Sequence, residues 1–227
     1  MIPDLLWRCP LCATNDALRQ RRRLLRPQQL HCTRCAATWE VRRVIGDDYW
    51  LKLVASPGHP DRLGADLPLR RWYAAMKETI GLAPITDQTV TLAEGERLYL
   101  ASRKVVLAAE ADDPLFFADE GSPDLEKPAS SRNRKRLSRG LVGAGRFFLT
   151  NRRLIWLGED GRERSFPLER LNSVYALFNV ALLILYETRL YQVRFQQESL
   201  LKWITYFAYV AEEVKATTGH LITTSNF

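Results

Sequence analysis

The four cysteines of the chain fall into two C-x-x-C pairs, and they carry its clearest chemistry. Cys9 and Cys12 form the first pair, Cys32 and Cys35 form the second, and the sequence contains four cysteines in all. Two such pairs separated by a short span have the spacing of a four-thiolate metal site. Because Zn²⁺ accepts a tetrahedron of thiolates, we predict that all four residues hold one structural zinc ion. A site of this kind keeps no open position for catalysis.

The remaining residue types argue against an enzyme. His31 lies beside the second cysteine pair but not at a ligand spacing, and four thiols already complete the site. His59 lies in a Pro-Gly turn and His220 lies near the end of the sequence, so the histidines indicate no acid–base site. The glycine-rich run 140–145 precedes a predicted strand rather than a helix, which argues against a phosphate-binding loop. We therefore predict a non-catalytic protein.

The net charge of +7 is unevenly distributed. Residues 1–45 carry nine arginines against three acidic residues, and residues 127–153 are basic without any acidic residue. An acidic segment, residues 110–126, precedes the second basic stretch. Two basic patches and one acidic loop are therefore available to bind partners.

Composition and the positions of turn-forming proline and glycine residues divide the chain into three parts. Residues 1–45 form a small metal-stabilised module, residues 46–92 a connector with one helix, and residues 93–219 a β-rich domain. In the connector, Asp66 is predicted to cap a helix that has Pro68 in its first turn and ends at Gly81. The apolar face of this helix consists of Leu69, Trp72, Tyr73, Met76 and Ile80.

From about residue 93 the pattern changes to short strands joined by tight turns. Residues 145–157 indicate two strands around a turn at Asn151-Arg152, and Asp160-Gly161 marks the next hairpin. An amphipathic helix, about Glu198–Thr217, follows and ends at Gly219. The fold class is therefore α+β and mainly β, with a sandwich or a seven-stranded barrel that the last helix closes. Further strands are predicted at Glu163–Phe166, Asn172–Phe178, Val180–Glu187 and Leu190–Phe195.

Two stretches of this β-rich part resemble a known superfamily. The run from Gly145 to Trp156 (GRFFLTNRRLIW) and the run from Phe166 to Val174 (FPLERLNSV) resemble pleckstrin-homology-like (PH-like) domains, closest to the GRAM and bacterial PH families. Trp203 lies near the place where many PH domains have a tryptophan in the closing helix. The long connection 108–140 departs from smaller members of the superfamily. Residues 5–45 separately resemble a zinc ribbon.

These resemblances imply recruitment, to an acidic membrane surface or to a protein partner. PH domains that bind anionic head groups often carry a basic cluster near the first hairpin, and an alternative is a solvated loop that neutralises residues 110–126. The candidate anionic-ligand residues are Lys127, Arg132, Arg134, Lys135, Arg136 and Arg139. A further alternative is nucleic-acid binding by the ribbon, with Arg21, Arg22, Arg23 and Arg26 as phosphate contacts. Trp7 and Trp39 would then stack on bases, although both fit the small core of the ribbon equally well.

A ribbon, a tryptophan-bearing helix and a GRAM-like domain also resemble the C-terminal extension of some bacterial lysophospholipid acyltransferases. Those enzymes use a histidine with an aspartate five positions later, and none of the three histidines here has one. This resemblance implies at most a regulatory partner of a lipid-modifying enzyme. The sequence shows no signal peptide and no transmembrane segment, and its paired thiols favour a reducing compartment. We expect a cytoplasmic protein, with peripheral association at the inner membrane surface.

Overall fold

The computed structural model describes residues 2–21, 27–44, 49–109, 141–177, 180–196 and 198–224. The chain divides into two compact units, Met1–Gly81 and Leu82–Phe227. Each unit has its own sheet, antiparallel except for one short parallel pair at the edge of the second, so the described residues are mainly β with few helices.

The first unit is a five-stranded sheet whose strands lie side by side in chain order. A short helix α1 (Ile2–Leu5) precedes the sheet and a longer helix α2 (Leu69–Glu78) follows it. The strands are β1 (Leu18–Arg21), β2 (Gln28–Cys32), β3 (Thr38–Arg43), β4 (Tyr49–Ala55) and β5 (Asp66–Pro68).

Helix α2 packs on one face of this sheet through Trp72. The Trp72 ring meets Trp39 of β3 edge to face, with centroids 5.7 Å apart, and its indole N–H donates to the Leu51 carbonyl oxygen at 3.0 Å. Trp7 is also buried, at 1% exposure. The suggestion that Trp7 and Trp39 stack on nucleic-acid bases is therefore wrong, because both rings form the core of this unit.

The predicted connector, residues 46–92, is divided between the units. Strands β4 and β5 belong to the sheet of the first unit, whereas residues from Leu82 onward belong to the second unit. The predicted helix is present, but Asp66 does not cap it: Asp66 lies in β5, its carboxylate pairs with Arg42, and Pro68 occupies the N-cap position.

The described residues of the second unit form a nine-stranded sheet and one long helix, α3 (Leu200–Thr218). The strand order is β10-β9-β8-β7-β13-β12-β11-β14, and β6 pairs with β8 beside β7. The strands are β6 (Leu98–Ala101), β7 (Val105–Ala109), β8 (Leu141–Thr150), β9 (Arg153–Gly158), β10 (Glu163–Pro167), β11 (Leu171–Leu177), β12 (Ala181–Tyr186), β13 (Arg189–Phe195) and β14 (Thr223–Thr224).

The sheet differs from the predicted closed barrel. The chain passes from β10 to β11 through a 3₁₀ turn at Leu168–Arg170, and within the described residues these two strands do not pair. The sheet therefore stays open, with β10 at one edge and β14 at the other. The hairpins predicted around Asn151-Arg152 and Asp160-Gly161 are both present.

Helix α3 covers the second sheet and matches its predicted position closely. Trp203 stacks on Phe195 with centroids 4.8 Å apart, and it contacts Phe147 at 5.5 Å. Ser199 is the N-cap, and its hydroxyl accepts from the Lys202 backbone N–H at 3.4 Å. Gly219 ends the helix in the left-handed conformation, with φ of 76°. In the described part of the chain, no helix is long and apolar enough to cross a membrane.

Candidate metal centre

The two C-x-x-C pairs fold into matching turns. In the first, the Ala13 N–H donates to the Cys9 carbonyl oxygen at 2.9 Å and the Cys9 N–H donates to the Thr14 carbonyl oxygen at 3.0 Å. In the second, the Ala36 N–H donates to Cys32 at 3.1 Å and the Cys32 N–H donates to Ala37 at 2.8 Å. The two alanines are left-handed, with φ of 54° and 60°. Each turn thus directs two sulfurs to one side.

The four Sγ atoms lie within 4.8 Å of one another. Cys9 and Cys35 have sulfurs 3.8 Å apart, and Cys12 and Cys32 have sulfurs 3.7 Å apart. A tetrahedral zinc site with Zn–S bonds of about 2.3 Å has sulfurs about 3.8 Å apart. A disulfide would need about 2.05 Å, so the cysteines are free thiols arranged as a metal donor set.

Burial distinguishes the thiols from one another. Cys9 and Cys32 are fully buried, and Cys12 and Cys35 are half-buried. Burial raises the pKa of the Cys9 thiol, and it raises the pKa of the Cys35 thiol to about 11. Burial also acts on Cys12, but its hydrogen bonds with the Thr14 hydroxyl and with the Thr14 backbone N–H outweigh burial and lower the pKa of Cys12 to about 7.

The cluster suits a metal ion better than any other use of four thiols. Four thiolates this close repel one another, and a bound divalent cation removes that repulsion while it holds the turns together. His31 is not part of the cluster: its Nδ1 lies 3.0 Å from the Thr38 hydroxyl on the neighbouring strand. Burial and then the charge of Arg21 lower the pKa of His31 below its ordinary value.

The other predicted site residues are placed only in part. Arg21 is exposed at the end of β1. The remaining nucleic-acid candidates, Arg22, Arg23 and Arg26, lie outside the described residues. The anionic-ligand candidates Lys127, Arg132, Arg134, Lys135, Arg136 and Arg139 also lie outside them.

Two features of the first unit were not predicted from the sequence. The left-handed Ala13 and Ala36 each stand four positions after the first cysteine of a pair, and this shared position was the available signal. The register of β1 to β4 brings cations from distant positions onto one face, and only the strand pairing reveals that arrangement.

Comparisons with known proteins give a distant likeness to solved structures. No family model matches the chain, and no curated protein matches it. Among solved structures, the chain is similar to the Vps36 N-terminal PH domain at 16% identity and a TM-score of 0.38, over 56% of this chain and 86% of that chain. We attach no functional meaning to a likeness this distant.

Proposed function

We propose that the protein is a non-catalytic adaptor, in which a zinc-stabilised ribbon is joined to a PH-like module that recruits it to an acidic membrane surface or a protein partner. The observation that carries the proposal is the four-thiol cluster with its tetrahedral sulfur spacing. A complete set of four protein ligands leaves no position for substrate or water. The metal therefore serves the fold of the first unit.

Zinc content tests the metal part of the proposal. The purified full chain should contain one zinc per molecule, and Cys9→Ser or Cys32→Ser should lose the metal because three thiolates bind zinc far more weakly. His31→Gln is the matched control, since His31 adjoins Cys32 but bonds Thr38 instead of joining the cluster. Metal near zero in the unaltered protein, or equal loss in the histidine variant, contradicts the assignment.

The PH-like assignment of the second unit is supported by its element order. Strands β6 and β7 both pair with β8, so they act as one interrupted first strand. Counted in this way, seven antiparallel strands precede a single C-terminal helix, with Trp203 in the contact between helix and sheet. This order is the one that the sequence resemblance implies.

Vesicle flotation tests recruitment to a membrane. Each basic residue near an anionic surface contributes about 1 kcal/mol, so a cluster of six binds reversibly. The full chain should float with vesicles that contain anionic lipid and stay unbound with neutral vesicles. Replacing Lys135, Arg136 and Arg139 with glutamine should weaken flotation. Equal recovery on both vesicle types excludes head-group recognition, and no flotation on anionic vesicles leaves a protein as the recruiting partner.

The cytoplasm is the compartment that fits this proposal. Four free thiols that bind zinc require a reducing environment, because oxidation to disulfides would remove the metal ligands.

A further inference from the structure

The two faces of the first unit's sheet differ sharply. One face is covered by helix α2 and is apolar, with Leu30, Trp39, Leu51 and Leu53 all at 0% exposure. Side chains alternate between the faces along each strand, so the residues between these buried positions lie on the opposite face. That opposite face is open to solvent.

The open face collects positive charge from three strands. Arg19 and Arg21 are exposed on β1, Arg42 on β3 and Lys52 on β4, all at positions that alternate with buried ones. The strand register places Arg21 beside Gln29, Gln29 beside Glu40, and Glu40 beside Lys52. Adjacent strands are about 4.8 Å apart, so the cations extend over about 14 Å.

Two carboxylates offset part of this charge. Asp66 pairs with Arg42 and lies across from Lys52 in the register, and Glu40 lies on the other side of Lys52. The four cations therefore exceed the acidic residues of this face by two. Within the described residues, Arg21 and Lys52 have no carboxylate at salt-bridge distance. The surplus extends to the unit as a whole. Residues 1–81 contain 14 Lys and Arg against 8 Asp and Glu, a net charge of +6 out of +7 for the chain.

An aromatic ring adjoins these cations. Trp50 of β4 is half-buried, and the register places it beside Arg42. An open groove there is lined by Arg42, Arg43, Val44 and Trp50. An accessible indole next to arginines offers a surface on which a base can stack while its phosphate meets a cation.

We infer that this basic sheet face, made of Arg19, Arg21, Arg42, Trp50 and Lys52, binds a single-stranded nucleic acid. The site goes beyond the adaptor function and does not depend on it. A five-stranded sheet is about 19 Å wide, whereas the major groove of a duplex is about 12 Å wide, so the face cannot enter a groove. A single strand can lie across it, with phosphates at the cations and one base on Trp50.

A lipid surface fits this face less well. Its apolar surface is small, because Trp50 is half-buried and Val44 at the groove is only 45% exposed, so little apolar area can insert between lipids. Between its cations it instead carries hydrogen-bonding groups, Gln29, His31 and Thr38, which suit the polar edges of bases.

Fluorescence anisotropy of labelled 20-nucleotide oligo-uridylate and oligo-thymidylate, titrated with the zinc-loaded full chain, tests the site. Binding should weaken as salt rises from about 50 to 200 mM, because cation–phosphate contacts release counterions. The double variant Arg21→Gln/Lys52→Gln should bind about tenfold more weakly. Its salt dependence should be shallower by about 1.4 in log–log slope, since each contact with a single strand contributes about 0.7. The two oligonucleotides show whether RNA or DNA is preferred.

The matched control is Arg70→Gln/Arg71→Gln, which removes the same charge from exposed positions of helix α2, on the covered side of the sheet. This control should bind within about twofold of the unaltered protein. Trp50→Leu should lower the affinity for the oligonucleotides about fivefold or more. Trp50→Phe should retain most of that affinity, because a phenylalanine ring can still stack on a base. Zinc content and circular dichroism verify that each variant is folded.

Three results would overturn the site. The first is no binding at low salt. The second is equal loss in the control and face variants, which indicates a general charge effect. The third concerns a 20-base-pair duplex or anionic vesicles. If either binds as tightly as the single strands, and if Arg21→Gln/Lys52→Gln weakens that binding equally, the face does not select single strands. The flotation result remains separate, because it concerns basic residues of the second unit.

Discussion

Arg153 and Glu96 form a buried, two-bonded ion pair that ties the start of β9 to the segment before β6. Arg153 Nε lies 2.9 Å from Glu96 Oε1, and Nη2 lies 3.1 Å from Oε2. Thr150 donates its hydroxyl hydrogen to Glu96 Oε1 at 2.7 Å and accepts from the Arg153 backbone N–H at 2.9 Å. Thr150 and Arg153, which both lie in the run that resembles PH-like domains, thus meet on one carboxylate.

This pair makes Glu96 a stabilising residue of the second unit. The Glu96 side chain is 1% exposed. Burial raises its pKa, yet hydrogen bonds from Arg153, the Ala93 N–H and Thr150 outweigh burial and lower the pKa below its ordinary value. We expect Glu96→Gln to lower the free energy of unfolding by about 3 kcal/mol, because it leaves the buried face of Arg153 without its charge partner. Urea unfolding measures the change.

Glu163→Gln is the control for that substitution. Glu163 contacts the same arginine at 3.3 Å but is 43% exposed. An exposed ion pair contributes little, so this variant should change the free energy of unfolding by less than about 0.5 kcal/mol. Similar losses in the two glutamine variants would show that burial of the pair does not matter.

Asp87 gives the second unit a specific acid sensitivity. The Arg146 guanidinium donates to Asp87 at 2.6 Å and 3.2 Å. These bonds, together with those from Thr89, lower the pKa of Asp87 to about 2 from 3.8. Because the folded pKa lies below the unfolded one, the pair stabilises the fold fully above about pH 4. That stabilisation, at most about 2 kcal/mol, is lost as the pH falls towards 2.

Unfolding by urea between pH 2 and 7 checks this dependence. Asp87→Asn should be less stable than the unaltered protein at pH 6 and should approach it at pH 2, since the aspartate is then protonated. Asp160→Asn is the comparison, because Asp160 pairs with Arg162 on an exposed turn and should contribute a smaller pH-dependent difference. If the free energies of unfolding of Asp87→Asn and the unaltered protein differ by the same amount at every pH, the ionised pair is not the cause of the difference.

Local signals predicted the four-cysteine cluster and most of the second sheet. A C-x-x-C turn directs two sulfurs by itself, so the spacing of Cys9 and Cys12 needs no tertiary information. The hairpins at Asn151-Arg152 and Asp160-Gly161 are similarly encoded by turn residues and alternation within about ten positions.

Pairings between distant residues were not predictable from one sequence. Asp66 has the side chain of a helix cap, and only the pairing of β5 with β4 and the contact with Arg42 make it a strand residue. Asp87 and Glu96 precede their arginine partners by more than fifty residues. No local periodicity connects positions that far apart.

The left-handed alanines of the metal turns predict a stabilising substitution. Ala13 and Ala36 have φ of 54° and 60°, a conformation that costs a residue with a Cβ about 1 kcal/mol relative to glycine. Ala13→Gly and Ala36→Gly should each raise the melting temperature of the zinc-loaded protein. The same change at Ala74, exposed within helix α2, should lower stability by about 1 kcal/mol. If all three glycine substitutions lower stability, the left-handed conformation of Ala13 and Ala36 does not strain the turns.

Gly145, in the first half of β8, has a structural role that a final substitution tests. Gly145 of β8 pairs with Gly158 of β9. A Cβ added to Gly145 would lie 2.2 Å from the Leu157 carbonyl oxygen and 2.9 Å from the Gly158 Cα, both backbone atoms that cannot rotate away. Gly145→Ala should therefore force the strands apart and lower the free energy of unfolding by about 2 kcal/mol or more.

The control is Gly58→Ala, where an added Cβ meets nothing within 4 Å. Its effect on the free energy of unfolding should stay within about 0.5 kcal/mol, because a surface position without a backbone constraint tolerates the methyl group. Thermal unfolding followed by circular dichroism compares the two variants. A melting temperature for Gly145→Ala equal to that of Gly58→Ala would show that β8 and β9 can separate without loss, and that the glycine serves some purpose other than close strand packing.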